Sequence, residues 1–338
     1  MGPLLSVESL TVSFDTYAGE VQAVRDVSFT LDRGEVLAVV GESGSGKSVT
    51  VQSLLGLVPV PPGRVKGGTA ALNGFDLLSA SEAELSRIRG KEMSIVFQDP
   101  MTALNPSMTI GAQITEVLFQ HAAISRAAAR ARAIELLGLV GIPEPEIRFG
   151  QYPHQFSGGM RQRIVIAIAI ANHPAILLAD EPTTALDVTI QSQILQLIRR
   201  IQAEFAMAMI LITHDLGIVA GIADRIIVMY AGRIVEEGTT DQIFYEPQHP
   251  YTLGLLGAVP SLADDDTRPL RTIEGIPPLL LDPPPGCAFA SRCPFRMRIC
   301  RIEEPPFFRP LPGNRSACWL HAGEASAQRA GFAAASRR

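Results

Sequence analysis

The sequence predicts an α/β fold, and three observations support this prediction. Short apolar runs typical of buried β-strands recur along the chain, and segments with helical periodicity alternate with them. A glycine-rich loop, residues 41–48, joins the strand-like run 36–40 to the helix-like segment 49–57. Residues from about 99 to 155 show a helical pattern of apolar residues. Together these features predict an α/β core that is interrupted by a helical insertion.

The first part of the chain is rich in predicted strands. Their apolar residues either alternate with polar ones or form continuous runs, as in half-buried and fully buried strands. The runs are residues 10–14, 24–31, 36–40, 69–72 and 93–97. A break rich in proline and glycine, residues 59–68, precedes the fourth run, and Asn73-Gly74 after it is a typical turn dipeptide. We therefore expect strands up to Gln98, interrupted by the helix-like segment 49–57.

The middle of the chain carries the insertion. Residues 110–121 and 127–139 have apolar side chains three and four positions apart, which predicts amphipathic helices. The alternation of strands and helices then resumes through the short apolar runs 176–178, 210–212 and 226–229. We predict one α/β domain over residues 1–245, with a helical subdomain at about residues 99–160.

The composition of the chain changes near residue 246. Prolines become frequent, and all four cysteines follow this point. We predict a C-terminal extension, rich in proline and cysteine, over residues 246–321. Residues 322–338 are rich in alanine, serine and arginine, and we predict that they are disordered.

Composition and charge exclude several classes of protein. The chain has 338 residues, of which 47% are hydrophobic and 19% charged, as expected for a soluble protein with a large core. Its longest uninterrupted apolar runs have eight residues, too few to cross a bilayer. No basic segment followed by an apolar stretch opens the chain, so we expect no secretion. The net charge of −5 argues against nucleic acid as a partner.

Residues 41–48 match a phosphate-binding P-loop in full and are called the phosphate loop below. The motif reads Gly41-Glu42-Ser43-Gly44-Ser45-Gly46-Lys47-Ser48. Glycines let backbone N–H groups surround phosphates, and the helix N-terminus adds a positive partial charge. Lys47 is expected to reach the β- and γ-phosphates, and the Ser48 hydroxyl to bind Mg²⁺. The predicted nucleotide contacts are Gly41, Ser43, Gly44, Gly46, Lys47, Ser48 and Val49.

An acidic pair follows about 130 residues later, at the end of an apolar run. Asp180 is expected to hold Mg²⁺, directly or through water. Glu181 is expected to polarise the water that attacks the γ-phosphate. An acidic pair after a strand is common, but behind a P-loop it predicts hydrolysis of a nucleoside triphosphate.

A third motif, called the signature below, identifies the family. It reads Phe156-Ser157-Gly158-Gly159-Met160 and is followed by Arg161-Gln162-Arg163. It resembles the signature of ATP-binding cassette (ABC) ATPases. The resemblance implies a head-to-tail dimer in which Ser157, Gly158 and Gly159 close on the ATP held by the partner's P-loop. A simple helix cap at Ser157 is the structural alternative.

The other ABC elements also have counterparts here. Gln98 resembles the Q-loop glutamine, which senses Mg²⁺ and the attacking water. Asp187 resembles the D-loop aspartate at the dimer interface, and His214 resembles the switch histidine that contacts the γ-phosphate. Tyr17 is our candidate for stacking on adenine, with Phe14 as the alternative.

Further features resemble the ATPase subunits of oligopeptide, dipeptide and nickel importers. These features are Gln98-Asp99-Pro100, Ala103-Leu104-Asn105-Pro106, His249-Pro250-Tyr251-Thr252 and the cysteine-containing extension. The resemblance implies a second ATPase, which we expect to form a heterodimer with this chain. It also implies two transmembrane permeases and an extracytoplasmic substrate-binding protein. We accordingly expect a peripheral location at the cytoplasmic face of the inner membrane, with coupling through a groove near residues 99–125.

Other functions compete with this interpretation. The main alternative is an ABC ATPase of translation or DNA repair, but such proteins usually carry two cassettes or basic or coiled-coil insertions. The chain has one copy of each motif and no heptad run. A small-molecule kinase would not need the signature, and Glu181 argues against a binding module that has lost its ATPase activity. The sequence leaves four kinds of solute open: dipeptides, longer peptides, nickel complexes and other small molecules.

The four cysteines predict a metal centre in the extension. Cys287, Cys293, Cys300 and Cys318 are separated by five, six and seventeen residues. Clustered cysteines in a cytosolic protein more often bind metal than form disulfides. Zinc favours Cys-x₂-Cys pairs, which the chain lacks, whereas Cys293-Pro294 and the wider spacing are closer to iron–sulfur ligation. The resemblance to peptide-importer ATPases implies a [4Fe–4S] cluster, with zinc as the alternative.

Overall fold

Two β-sheets organise the part of the chain that the computed structural model describes, residues 2–184, 186–258, 273–323 and 325–336. Their strands follow one another along the chain with helices between them. They are β1 (Leu5–Thr16), β2 (Gly19–Leu31), β3 (Val36–Val40), β4 (Gly63–Leu72), β5 (Phe75–Asp76), β6 (Met93–Val96), β7 (Ile176–Asp180), β8 (Ala208–Thr213), β9 (Arg225–Tyr230), β10 (Arg233–Thr239) and β11 (Arg315–Ser316).

The helices lie mainly between β3 and the end of the chain. They are α1 (Lys47–Leu54), α2 (Glu82–Ile88), α3 (Pro100–Ala103), α4 (Ile110–His121), α5 (Arg126–Leu139), α6 (Pro145–Arg148), α7 (Gly158–Ala169), α8 (Val188–Phe205), α9 (Leu216–Val219), α10 (Thr240–Tyr245), α11 (Pro250–Gly257) and α12 (Ser326–Ser336). Among the described residues, no helix combines the length and apolar character needed to span a bilayer.

The larger sheet has the order β11-β10-β9-β3-β8-β7-β6, and the smaller one has the antiparallel order β2-β1-β4-β5. In the larger sheet, the strands β9, β3, β8, β7 and β6 are parallel to one another. Strand β10 is antiparallel to both of its neighbours, β9 and β11. The α/β prediction is therefore confirmed.

The parallel strands bring four predicted site residues to one edge of the sheet. The phosphate loop follows β3, Gln98 lies two positions after β6, Glu181 follows β7 and His214 follows β8. These strands are neighbours in the order β3-β8-β7-β6. Because carboxyl ends of parallel strands meet at the same edge, residues far apart in the chain converge there.

Both faces of the parallel strands are covered. In β3, Val36, Ala38 and Val40 pack into one core with the helices, while Leu37 and Val39 pack into a second core with the antiparallel sheet. All five residues of β3 are buried. This two-sided burial explains why the strand appears in the sequence as a continuous apolar run.

Helices fill the chain between β6 and β7. Apolar residues of α4 pack against α5 in the same core as the parallel strands, and α7 returns the chain to the sheet. Thr109 and Ser125 cap α4 and α5 by accepting hydrogen bonds from Ala112 N and Ala128 N. These local caps and the apolar spacing explain why residues 110–121 coincide with α4.

The extension is joined to the core through the larger sheet. Strand β11 pairs with β10, and Ala317 N donates to Val235 O at 2.8 Å. Residues 259–272 of the predicted extension lie outside the described residues.

The prediction of disorder after residue 322 differs from the structure, because residues 326–336 form α12. Phe332 is buried and meets Phe295 edge-on, with ring centroids 5.5 Å apart. The high helix propensity of alanine and this one aromatic anchor account for the difference. Residues 324, 337 and 338 of the tail lie outside the described residues.

Candidate functional site

The phosphate loop has a backbone that only glycine accommodates at two positions. Gly41 has φ +154° and Gly46 has φ +99°. A Cβ atom would lie 2.2 Å from Met229 O at Gly41 and 2.4 Å from Ala23 O at Gly46. The strand end and the start of α1 are therefore held in close contact with neighbouring backbone.

Lys47 is the first residue of α1 and folds back over its own loop. Its Nζ donates to Gly41 O at 2.8 Å and to Glu42 O at 3.0 Å, and it lies 3.9 Å from Glu181 Oε1. Only 4% of the side chain is exposed. Burial lowers the pKa of Lys47, while Glu181 and Asp180 oppose that shift. The ammonium group thus sits between the loop and the acidic pair.

Ser48 and Asp180 connect the helix start to the end of β7. Ser48 Oγ donates to Asp180 Oδ1 at 2.7 Å, although 132 residues separate them. Burial raises the pKa of Asp180, and the charge of Glu181 acts in the same direction. A hydroxyl and a carboxylate oxygen side by side are oxygen donors of the kind that Mg²⁺ prefers.

Glu181 is the meeting point of the site. Gln98 Nε2 and Thr184 Oγ1 each donate to Glu181 Oε2 at 3.0 Å, and His214 Nδ1 lies 3.4 Å from the same atom. The backbone of Glu181 has φ +46°, a left-handed conformation that is uncommon for a residue with a side chain. The sheet therefore gathers an amide, a hydroxyl, an imidazole and an ammonium around one carboxylate.

The group of side chains around Glu181 is accessible to solvent on the side of His214. His214 exposes 60% of its side chain, whereas Glu181 exposes 13%. A largely buried carboxylate that is surrounded by donors and still reaches solvent is suited to orienting a water molecule. Thr184 was missed from the sequence, because a threonine three residues after an acidic residue carries no distinctive signal.

The signature lies at the N-terminus of α7. Ser157 accepts a hydrogen bond from Met160 N at 3.4 Å, so the cap predicted as the structural alternative is present. Ser157 and Gly158 are nevertheless exposed. The described side-chain hydrogen bonds and ion pairs of the phosphate loop do not involve Ser157 or the signature glycines.

Asp187 lies beside the signature. Its carboxylate caps α8 by accepting from Ile190 N at 2.9 Å, and a Cβ atom on Gly159 would lie 2.8 Å from Ile190 Cγ2. Asp187 and Val188 are exposed, Val188 by 81%. Ala185, in the same loop, lies outside the described residues. The signature and the loop at Asp187 thus form one exposed surface.

The two aromatic candidates have different environments. Tyr17 lies in the turn between β1 and β2 and is fully exposed, whereas Phe14 packs against the second core. Val49 also packs against that core, and Ser43 and Gly44 are exposed at the tip of the phosphate loop. Of these two candidates, Tyr17 has the fully exposed ring.

All four cysteines line one small cavity in the extension, together with His249, Phe289 and Trp319. Burial raises the pKa of Cys287 to about 11 and that of Cys293 to about 12, and it also raises the pKa of Cys318. Among the described residues, no group of three or more His, Cys, Asp or Glu side chains is placed to hold a metal ion. This finding does not support the predicted metal centre, although the cysteines converge.

Two family models match the chain. Residues 24–184 match the model described as ABC transporter. Residues 235–300 match the model described as Oligopeptide/dipeptide transporter, C-terminal region. The first match contains the phosphate loop, the signature and the acidic pair, and the second begins within β10 and includes three of the four cysteines.

Curated relatives match nearly the whole chain. The oligopeptide transport ATP-binding protein OppD of Bacillus subtilis is 57% identical over 317 residues, which cover 94% of this chain and 88% of the relative. The dipeptide transport ATP-binding protein DppD of the same organism is 55% identical over 320 residues, or 95% of each chain.

A solved structure shares the fold. It is a dimeric ATP-binding cassette in a post-hydrolysis state, bound to ADP and Pi. The TM-score is 0.62 at 28% identity, and the match covers 70% of this chain and 98% of the other.

Proposed function

Because the chain belongs to the ABC transporter family, among the ATP-binding proteins of oligopeptide and dipeptide transport, we propose that it powers peptide import. It is an ABC-type ATPase. We propose below which residues bind and hydrolyse ATP, which kind of solute is transported and which subunits are its partners. The observation that carries the proposal is the convergence of Lys47, Gln98 and His214 on Glu181.

ATP binds at the phosphate loop in this proposal. Backbone N–H groups from Gly41 to Val49 surround the phosphates, with Ser43 and Gly44 at the exposed tip. Lys47 exchanges its bonds to the loop carbonyls for the β- and γ-phosphates. Tyr17 stacks on the adenine, and its full exposure at the turn after β1 supports this role.

Mg²⁺ accompanies the nucleotide. Ser48 and Asp180 would hold the ion, because their oxygen donors fit its preference, and Gln98 is the third ligand that we propose. When bound there, Mg²⁺ would neutralise charge on the phosphate oxygens. Glu181 polarises the attacking water, and His214 contacts the γ-phosphate from its exposed position.

Complete sites require a second ATPase. One surface carries the exposed residues Ser157, Gly158 and Asp187 and the half-buried Gly159. The described side-chain hydrogen bonds and ion pairs of the phosphate loop of the same chain do not involve these residues. That surface fits the ATP held by a partner, which we propose to be a similar but non-identical subunit. The dimeric ATP-binding cassette that shares this fold supports such an arrangement.

The isolated chain is expected to be a poor ATPase, because it holds only half of each composite site. Its specific activity should rise with protein concentration and rise further with the partner ATPase. The test is steady-state hydrolysis over a hundredfold range of chain concentration. Full activity that is independent of concentration would contradict the composite site.

The membrane partners are two permeases and an extracytoplasmic peptide-binding protein. A permease helix lies in the groove near residues 99–125, and closure of the ATPase dimer moves that groove and Gln98. The chain is thereby held at the cytoplasmic face of the membrane. The match of residues 235–300 to an oligopeptide/dipeptide transporter region supports transport over the alternative in translation or DNA repair.

The proposed function is tested by reconstitution. In vesicles that contain both permeases and both ATPases, peptide-loaded binding protein should stimulate ATP hydrolysis and peptide uptake. The same vesicles with unloaded binding protein are the control. Hydrolysis that ignores every peptide tested, in a complex that assembles, would argue against peptide import.

A [4Fe–4S] cluster at the four cysteines is the remaining part of the proposal. Its support is chemical, since four thiols line one cavity. The raised pKa values of Cys287 and Cys293 mean that ligation releases protons. The cluster would act as a structural link within the extension.

Anaerobically purified protein is expected to be brown, with broad absorbance near about 400 nm and about four irons per chain. Replacement of Cys300 by serine should remove most of the iron, because one of four ligands is lost. Metal analysis and the absorbance spectrum provide the measurement. Colourless protein that carries one zinc per chain would refute the cluster and support the zinc alternative.

A further inference from the structure

The extension contacts the phosphate loop directly, at Glu42. Arg292 Nη1 donates to Glu42 Oε2 at 2.6 Å, and Arg292 Nη2 donates to Glu42 Oε1 at 2.9 Å. This is a bidentate pair between residues 250 positions apart. The Arg292 side chain is only 4% exposed and that of Glu42 is 27% exposed, so the guanidinium is shielded from water while the carboxylate stays partly accessible.

The Arg292 guanidinium uses every donor that it has. Besides the two bonds to Glu42, Nη1 donates to Tyr230 Oη at 3.3 Å. Nη2 donates to Ile273 O at 3.1 Å, and Nε donates to Glu274 O at 3.1 Å. Five N–H donors in a planar fork thus find five bonds. Lysine carries three donors on a compact ammonium group and would not reproduce this pattern.

Tyr251 supplies a second contact from the extension. Its hydroxyl accepts a hydrogen bond from Glu42 N at 2.8 Å, and its side chain is fully buried. The ring packs on Tyr230 and Phe289, with centroids 4.6 Å and 5.3 Å away. The hydroxyl is therefore held in place by packing rather than by the loop that it contacts.

Glu42 is thereby held at three points. Arg292 binds its side chain, Tyr251 binds its backbone N–H, and its carbonyl oxygen accepts from Lys47 Nζ at 3.0 Å. The direction of the backbone at Glu42 determines where the N–H groups of the phosphate loop and the side chain of Lys47 point. Small misplacements of such groups are costly in binding and catalysis.

We propose that Arg292 and Tyr251 are positioning residues that hold the phosphate loop in its ATP-binding conformation through Glu42. The extension then takes part in nucleotide binding besides any role in assembly. This inference rests on the phosphate-binding role proposed above for residues 41–48. The same contacts would serve only to attach the extension to the core if ATP binding did not depend on them.

The experiment measures ATP affinity of the full-length chain and KM and kcat of the assembled complex. Arg292→Met removes the fork, Arg292→Lys keeps the charge, and Tyr251→Phe removes only the hydroxyl. The matched control is Arg315→Met. Arg315 is another extension arginine, whose Nε donates at 2.6 Å to Glu237 of β10, outside the phosphate loop.

Arg292→Met is expected to raise the KM for ATP by about tenfold, with a change in kcat below about threefold. Arg292→Lys and Tyr251→Phe should give intermediate KM values. Glu42→Gln removes the charge of the carboxylate but keeps one oxygen that can accept from Arg292, so it should raise the KM less than Arg292→Met does. The double variant should have a KM no higher than that of Arg292→Met, because Glu42 holds the loop through Arg292. Arg315→Met should leave the KM within about twofold of that of the unmodified chain.

An unchanged KM in Arg292→Met, or an equal rise in Arg315→Met, overturns the proposal. If Arg292→Met does not fold, Arg292→Lys and Tyr251→Phe, which preserve most of the buried volume, decide the question by the same KM criterion. Lys47→Ala, measured in parallel, distinguishes the positioning role of Arg292 from the phosphate-binding role of the loop. Weak ATP binding in Lys47→Ala with normal binding in Arg292→Met refutes only the positioning role, whereas normal binding in Lys47→Ala refutes the phosphate-binding role itself.

Discussion

Glu181→Gln is expected to slow ATP hydrolysis by about a hundredfold or more while ATP binding stays intact. The amide cannot accept the proton of the attacking water, yet its oxygen keeps nearly the same shape and can still accept from Gln98 and Thr184. ATP therefore binds and the dimer closes, but turnover stops. The measurement is kcat of the assembled complex together with the ATP affinity of the chain.

The closed dimer provides an independent readout of the same variant. With Mg²⁺, ATP and the partner ATPase, Glu181→Gln should accumulate as a dimer in size-exclusion chromatography, because the step that reopens the dimer is blocked. The control is Glu146→Gln, which alters an exposed carboxylate in α6 and should behave as the unmodified chain. Turnover of Glu181→Gln at the unmodified rate would contradict the assigned role.

Lys47→Ala is expected to weaken ATP binding itself, by about a hundredfold. The ammonium group is the buried cation of the phosphate loop, and its removal leaves the β- and γ-phosphates without a charge-assisted donor. Lys47→Ala also leaves Glu181 without its nearest cation, 3.9 Å away, so residual turnover should fall as well. Equilibrium binding of ATP with Mg²⁺ measures the first effect.

An exposed lysine serves as the control for charge. Lys91, exposed just before β6, lies at the opposite end of the parallel strands from the phosphate loop. Lys91→Ala should leave ATP affinity within about twofold of the unmodified value, since exposed charges are screened. Equal affinity of Lys47→Ala and Lys91→Ala for ATP would refute the phosphate contact.

The parts of this protein that could be predicted from sequence are those in which one short segment carries its own geometry. In the phosphate loop, Gly41 and Gly46 have φ values of +154° and +99°, which residues with side chains rarely adopt. The apolar spacing predicted a helix over residues 110–121, and α4 has these bounds. Where neighbouring residues along the chain supply the constraint, the pattern alone is informative.

Elements that depend on a distant partner were harder to predict. Strand β11 has two residues and exists because β10 provides a pairing edge. Helix α12 was expected to be disordered, since only its packing through Phe332 distinguishes it from an alanine-rich tail. Motif resemblance predicted that Lys47, Gln98, Glu181 and His214 belong to the site, but it did not predict Thr184.

The sequence by itself determined the α/β class, the phosphate loop, the acidic pair and the signature, because each is a local pattern whose residue types follow from its chemistry. The tertiary structure decided which of these meet. Parallel pairing of β3, β8, β7 and β6 brings Lys47, Gln98 and His214 to Glu181. Folding of the extension onto the core brings Arg292 to Glu42, across 250 residues of chain. No local pattern encodes such pairs, because their contact energy arises only after strands and layers have packed.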